Sequence, residues 1–342
     1  MKILYWLAFL FTIAFIAPSY ASQGDRLQFR GINLGGAALA SKEKPGKHGT
    51  NYLWATAAEV SLYADAGFNT LRVPFLWERI QPRLQAPFDE AELARLDEVV
   101  AAGAVSKVTI ILDIHNYGSY RNALIGSEAV PVSAFEDLWS RLATRYKDNP
   151  FVAFGLMNEP NKQKADEWAP IAQAAIMAIR KTGSIQLILV PGTRWSGAHS
   201  WLSKDGNLSN AEAMQNIKDP ANNYAFELHQ YFDRNSSGTT PSCVSEEVGV
   251  DRLKAVTAWL RKNGHRALLG EFGVSKDPVC LKALANTLDY MEKNGDVWLG
   301  WTYWVAAKWL GNYMFNIYPP DPSLFPQLKV IEAFLPRAAT TK

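Results

Sequence analysis

Eight runs of apolar and β-favouring residues recur along the chain: FRGINL (29 to 34), NTLRVPF (69 to 75), KVTIILDIH (107 to 115), FVAFGLMNE (151 to 159), IQLILVPG (185 to 192), NYAFELHQY (223 to 231), HRALLGEFG (265 to 273) and DVWLGWTYW (296 to 304). Several are apolar without alternation, the pattern of strands covered on both faces. Helix-period segments fill most intervals, and many end in a glycine shortly before the next strand: Gly67, Gly103, Gly183, Gly264 and Gly295. Glycine suits the left-handed residue that stops a helix. Helix starts are marked by residues spaced as capping pairs, Thr56 with Glu59, Asp89 with Glu92, and Ser133 with Glu136.

Eight strand-plus-helix units predict an α/β fold, a (β/α)8 TIM barrel. An open doubly wound sheet would want a phosphate-binding turn after its first strand, and GINLGGAA lacks the G-x-G-x-x-G spacing. The fifth unit is the weakest, because residues 193 to 222 hold turn formers and little helical period. With no Ser/Thr/Pro-rich linker, residues 22 to 342 are expected to form one catalytic-sized domain.

Residues 1 to 21 read as a secretory signal: Lys2, an apolar stretch from Ile3 to Ala17, then Pro18 and a small-residue cleavage site ending at Ala21. The stretch falls short of the roughly 20 residues a spanning helix needs. Export with cleavage near Ala21 is therefore expected, leaving a secreted extracellular or periplasmic protein with no membrane attachment. That compartment gives the two cysteines a meaning, since an even count in an exported chain favours a Cys243–Cys280 disulfide over free thiols. Sequons at Asn207 and Asn235 matter only in a eukaryotic host. Two cysteines and five scattered histidines show no ligand spacing, so no metal is expected. The formal charge of +2 is gathered into no Lys/Arg run, which argues against nucleic acid and anionic membrane as partners.

The candidate chemistry lies where runs end, because barrel sites are built at strand C-termini. Glu159 stands between Asn158 and Pro160, and Glu271 between Gly270 and Phe272. A lone carboxylate in a buried strand costs several kcal/mol; two such violations point to a site. Around them, Arg72, Asp113, His115, Asn116, Asn158, His229, Tyr231 and Trp304 close other runs or lie near their ends. Two carboxyls can hydrolyse a glycosidic bond without a cofactor, one as proton donor and one as nucleophile or base. Arg72 and Tyr231 suit the nucleophilic carboxylate, and His229 suits the acid. His115, Asn116 and Asn158 suit sugar hydroxyls, and Trp304 suits a pyranose face, with Trp195 and Trp77 as further platforms. Asp113 reads as an orienting residue; Trp298, Trp301 and Trp309 are left unassigned.

The stretches RVPF, DIHNY, GLMNEP, PGTRW, HQYFDRNSSG, LLGEFG and GWTYWVAAKWLG resemble glycoside hydrolase family 5, most closely its fungal-type endoglucanase branch. The likeness covers essentially everything after the signal. It implies Glu159 as acid/base and Glu271 as nucleophile in a retaining endo-β-1,4-glucanase, with Arg72, His115, Asn158, His229, Tyr231 and Trp304 at the family's other active-site positions. Cys243 and Cys280 match a cysteine pair of that branch. A monomer acting on a β-glucan polysaccharide or oligosaccharide is expected. The loops around residues 37 to 50 and 122 to 130 are less typical, which leaves mannan, xyloglucan or mixed-linkage glucan open as substrates. Non-catalytic carbohydrate binding is the alternative from another class, and the intact glutamate pair argues against it.

Overall fold

The computed structural model describes residues 27–336; the signal assigned to residues 1 to 21 lies outside them. Each of the eight runs is a strand: β1 (Phe29–Leu34), β2 (Thr70–Phe75), β3 (Thr109–Ile114), β4 (Val152–Gly155), β5 (Ile188–Pro191), β6 (Tyr224–His229), β7 (Ala267–Glu271) and β8 (Trp298–Ala306). They close in the order β1-β8-β7-β6-β5-β4-β3-β2, every pair parallel, as a (β/α)8 barrel. The principal helices outside it are α1 (Ala57–Asp65), α2 (Glu90–Ser106), α3 (Val132–Tyr146), α4 (Ala165–Lys181), α5 (Asn210–Met214), α6 (Val248–Asn263), α7 (Pro278–Lys293) and α8 (Pro326–Glu332). The weak fifth unit is real: α5 has five residues and follows short 3-10 turns and a two-stranded ribbon.

The caps agree with the sequence in part. Thr56 and Glu59 form the expected box on α1. Asp89 caps α2 alone, because the Glu92 carboxylate turns away to accept from Trp54 Nε1 at 2.7 Å and from Arg95 at 2.8 Å. Ser133 does not cap α3, which begins one residue earlier behind Pro131. Gly67, Gly183 and Gly264 adopt positive φ as expected. Gly103 instead lies inside α2, where a Cβ would meet Ile110 at 2.4 Å, and Lys107 takes the left-handed end. Asn294, one residue ahead of Gly295, closes α7.

Two apolar layers hold the barrel. The larger fills the space between strands and helices and takes Trp139, Trp168, Trp298 and Trp301, all buried. The smaller lies inside, where Ile111, Ala153, Leu189, Ala225, Leu268 and Leu299, one from each of six strands, form a floor. Side chains two residues apart on a strand share a face. The series Ile111, Asp113, His115 and Ala225, Glu227, His229 therefore run from that apolar floor through a buried charge to the C-terminal mouth. A cavity of about 1260 Å³ at the opposite mouth, lined by residues such as Gln28, Thr109 and Trp298, holds none of the predicted site residues.

Cys243 and Cys280 form the disulfide, joining the loop after β6 to the first turn of α7 across 37 positions. By chain entropy a loop of that length contributes about 4 kcal/mol. Among the described residues no helix is long and apolar enough to cross a membrane.

Candidate active site

At the C-terminal mouth, β2, β3, β6 and β7 and the loop after β4 bring the predicted polar residues together. Arg72, with no exposure, is their hub. Its Nη1 donates to Glu271 Oε1 and to Asn33 Oδ1, both at 2.8 Å, and its Nη2 donates to Asn158 Oδ1 at 2.9 Å. The remaining contacts are ionic, from Nη2 to Asp113 at 3.1 Å and from Nε to Glu227 at 2.7 Å. One guanidinium thus faces three carboxylates and two amides, a geometry only a planar fork can serve.

Glu271 is held at both oxygens, Oε1 by Arg72 and Oε2 by the Tyr231 hydroxyl at 2.9 Å. Tyr231 is itself stacked on Phe315, with ring centres 5.9 Å apart. Burial pushes the Glu271 carboxyl up, but the charges on His229 and Arg72 outweigh it, and the group lies below the ordinary carboxylate range. Glu159 goes the other way. Burial, aided by the Glu271 charge, raises it above the ordinary value against the opposing hydrogen bond from His229. His229 donates from Nδ1 to Glu159 Oε1 at 2.8 Å and lies 3.7 Å from Glu271 Oε2, so one ring nitrogen bridges the pair. Burial would lower the imidazole, yet Glu271, Glu159 and Glu227 together lift it to about 10. The donor atoms of Glu159, His229 and Glu271 lie within 4.8 Å of one another, close enough to share a cation; the positive ring works against that use.

The flanks are built from the same loops. His115 donates from Nδ1 to Asp113 at 2.7 Å, which leaves Nε2 to accept from Asn158 Nδ2 at 3.2 Å. Asp113 thereby fixes the tautomer. Half-buried Trp304 stacks against His115 at 5.7 Å with 13° between the planes. Trp195 is 55% exposed. It sits in a run of three non-glycine residues with positive φ, Arg194, Trp195 and Ser196, and its N–H donates to Pro160 O, next to Glu159. Glu159 too has positive φ, at 43°. Such strained residues persist where surrounding contacts impose them and gather at functional sites.

Two predicted substrate contacts are corrected. Trp77 has no exposure: it follows β2 in a one-turn helix and packs between Tyr120 and Phe135, with Nε1 bonded to Gln81. Asn116 is also buried and points away from His115, its Oδ1 accepting from Trp77 N and its Nδ2 donating to Glu78. Three residues absent from the sequence reading belong to the site. Asn33 anchors Arg72 and donates to the carbonyls of Gly270, Thr302 and Tyr303. Glu227 lies beneath His229. Tyr117 sets its ring edge-on to His115 at 5.4 Å, and its hydroxyl is raised by burial and by the charges of Glu159 and Glu271. Glu227 had a signal in ELH, two positions before His229 on the same strand face.

A parallel barrel whose mouth holds one carboxyl raised and another lowered from the ordinary range has the build of a glycoside hydrolase. The chain belongs to the cellulase family, glycosyl hydrolase family 5, whose family model matches residues 21–307. It is 35% identical over 321 residues to a probable endo-β-1,4-glucanase B of Aspergillus kawachii, covering 93% of each chain. Among solved structures, XacCel5A in complex with cellopentaose aligns at TM-score 0.87 and 48% identity, over 90% of this chain and 99% of that one. Pseudomonas stutzeri endoglucanase Cel5A in complex with cellobiose aligns at TM-score 0.82 and 33% identity, over 92% and 94%.

Proposed function

We propose that this glycoside hydrolase is a secreted, monomeric endo-β-1,4-glucanase that cleaves internal bonds of cellulose-like chains with retention of configuration. The observation that carries the reading is the carboxyl pair: oxygens of Glu159 and Glu271 within 4.8 Å, bridged by one histidine nitrogen and pushed to opposite proton affinities. Retaining enzymes hold their carboxyls about 5–5.5 Å apart, whereas inverting ones leave about 6.5–9.5 Å for a water. The substrate class is supported by the endo-β-1,4-glucanase names of the relatives and by the cellopentaose and cellobiose bound to two structural neighbours.

In this mechanism Glu271, aimed by Arg72 and Tyr231, attacks the anomeric carbon while Glu159 gives its proton to the departing glycosidic oxygen. Glu159, now a carboxylate beside the cationic His229, takes a proton from water, and that water displaces Glu271 from the sugar. Trp304 offers a face to the ring at the cleavage point, and exposed Trp195 offers another beyond the acid. His115 and Asn158 line the wall between them.

Anomer-resolved NMR on a defined cello-oligosaccharide tests bond and stereochemistry together. The β-anomer should appear first and drift to equilibrium by mutarotation. First appearance of the α-anomer would overturn retention, and release of reducing ends from mannan but not from β-1,4-glucan would overturn the substrate.

A further inference from the structure

Glu227 is a carboxylate with no solvent exposure in the barrel interior, one layer above the apolar floor. Its Oε1 lies 2.7 Å from Arg72 Nε and 3.4 Å from His229 Nε2, while its Oε2 has no hydrogen-bond partner. A buried charge with an orphaned oxygen costs free energy that an apolar residue would avoid. Two other strands are nonetheless cut away to admit it: a Cβ on Gly270 of β7 would meet Glu227 Oε1 at 2.4 Å, and one on Gly155 of β4, across the barrel interior, would sit 3.4 Å from Oε2. Glu227 touches neither Glu159 nor the cleft. What it touches is the far side of the ring whose near side bridges the catalytic pair.

We propose that Glu227 is a positioning residue that acts through His229, clamping Nε2 from below so that Nδ1 is aimed at Glu159 and Glu271 and the ring keeps a proton on each nitrogen. The proposal rests on the catalytic reading above. Around the ring stand Glu227 on its own strand, Glu159 from the loop after β4, and Glu271 from β7, whose Oε2 accepts from the Tyr231 hydroxyl. Behind Glu227 lie Arg72 from β2 and then Asp113 with His115 from β3. Arg72 is shared by three carboxylates and cannot itself touch the imidazole's acidic hydrogens, so the charge beneath Nε2 is Glu227's to supply. That arrangement agrees with the upward displacement of His229 and the downward one of Glu227.

A cation beside Glu159 makes it the stronger acid when it must release its proton. Removing the charge below the ring lets His229 lose a proton at lower pH, and while the ring is still cationic Glu159, with one negative charge fewer nearby, releases its own proton more readily. In Glu227→Gln the His229 titration, followed by ¹⁵N NMR without substrate, should move down in pH. The alkaline limb of kcat/KM, which reports loss of the Glu159 proton, should move down by less than the His229 titration does, because the lost negative charge lies on the far side of a ring that stays cationic. Glu227→Asp, which keeps the charge, should return both toward wild type. A packing role would lower the height of the profile and move neither. Unmoved His229 titration in folded Glu227→Gln overturns the proposal, as does wild-type protein whose His229 carries a single ring proton at pH 7, a measurement independent of any variant's folding. If the titration moves as stated but Glu159→Ala retains activity, the catalytic reading has failed and the clamp stands.

Discussion

Replacing Arg72 by lysine keeps the charge and removes the fork, which isolates what the guanidinium shape contributes. The native group has five contacts within 3.1 Å, to Glu271, Asn33, Asn158, Asp113 and Glu227. A lysine ammonium has three donors on a single nitrogen, so at least two contacts go. Hydrogen bonds to charged groups are worth about 1.5–3 kcal/mol. If the Glu271 contact is among those lost, transition-state stabilisation falls by that amount, about 10- to 150-fold in kcat at 1.4 kcal/mol per decade. Arg72→Met goes further and takes from Asp113, Glu227 and Glu271 the guanidinium that all three share. Breaking one buried pair costs about 3–5 kcal/mol of stability; Glu271 should also bind its proton at higher pH, moving the acid limb of the rate profile upward. Both variants are read by kcat on a cello-oligosaccharide, thermal unfolding and the pH profile. An Arg72→Lys enzyme within twofold of wild type would show that charge alone aims Glu271, and the argument from fork geometry would fall.

Glu159→Ala should lose about 10²- to 10⁴-fold on a cello-oligosaccharide, whose leaving group needs a proton. It should lose little in the bond-breaking step of a dinitrophenyl cellobioside, with azide, which needs no base, restoring turnover as a glycosyl azide; equal losses on both substrates would count against the acid/base role. Trp195→Ala should leave thermal stability near wild type and weaken substrate binding by about tenfold, the upper end expected for one aromatic contact. Trp77→Ala should do the reverse, costing about 3–5 kcal/mol of stability for a fully buried ring while the folded fraction keeps its KM.

The eight strands were legible because a parallel barrel buries both faces of each strand, and continuous apolar runs are what that burial demands. The strand-end rule then picked out Glu159, Glu271, Arg72, His229 and Tyr231, which the barrel brings into contact at one mouth. It failed at Asn116 for a reason within the same physics. Neighbours in extended chain point to opposite faces, so His115 facing the cleft sends Asn116 to the outer side, where it closes the backbone N–H of Trp77. Trp77 fails with it: the chain leaves β2 and turns into a helix beneath the rim, and the indole fills the gap beside Phe135. Adjacency in sequence carries no direction until the strand's phase is set.

That phase also explains why Glu227 escaped notice. A rule that collects the residues closing each run stops at the rim, whereas the electrostatics of the rim are set one layer down, where Asp113 and Glu227 share the inward face with His115 and His229. Glu159 and Glu271 differ in proton affinity although both are carboxyls in one pocket. The difference comes from what stands behind each: Glu271 rests on Arg72, while Glu159 rests on a histidine whose charge depends on the buried layer. Counting in twos from His229 back into the apolar run would have exposed Glu227. A charged residue at the inward phase of a barrel strand, one layer below the mouth, is therefore itself a sign that the residue above it carries a charge the site uses.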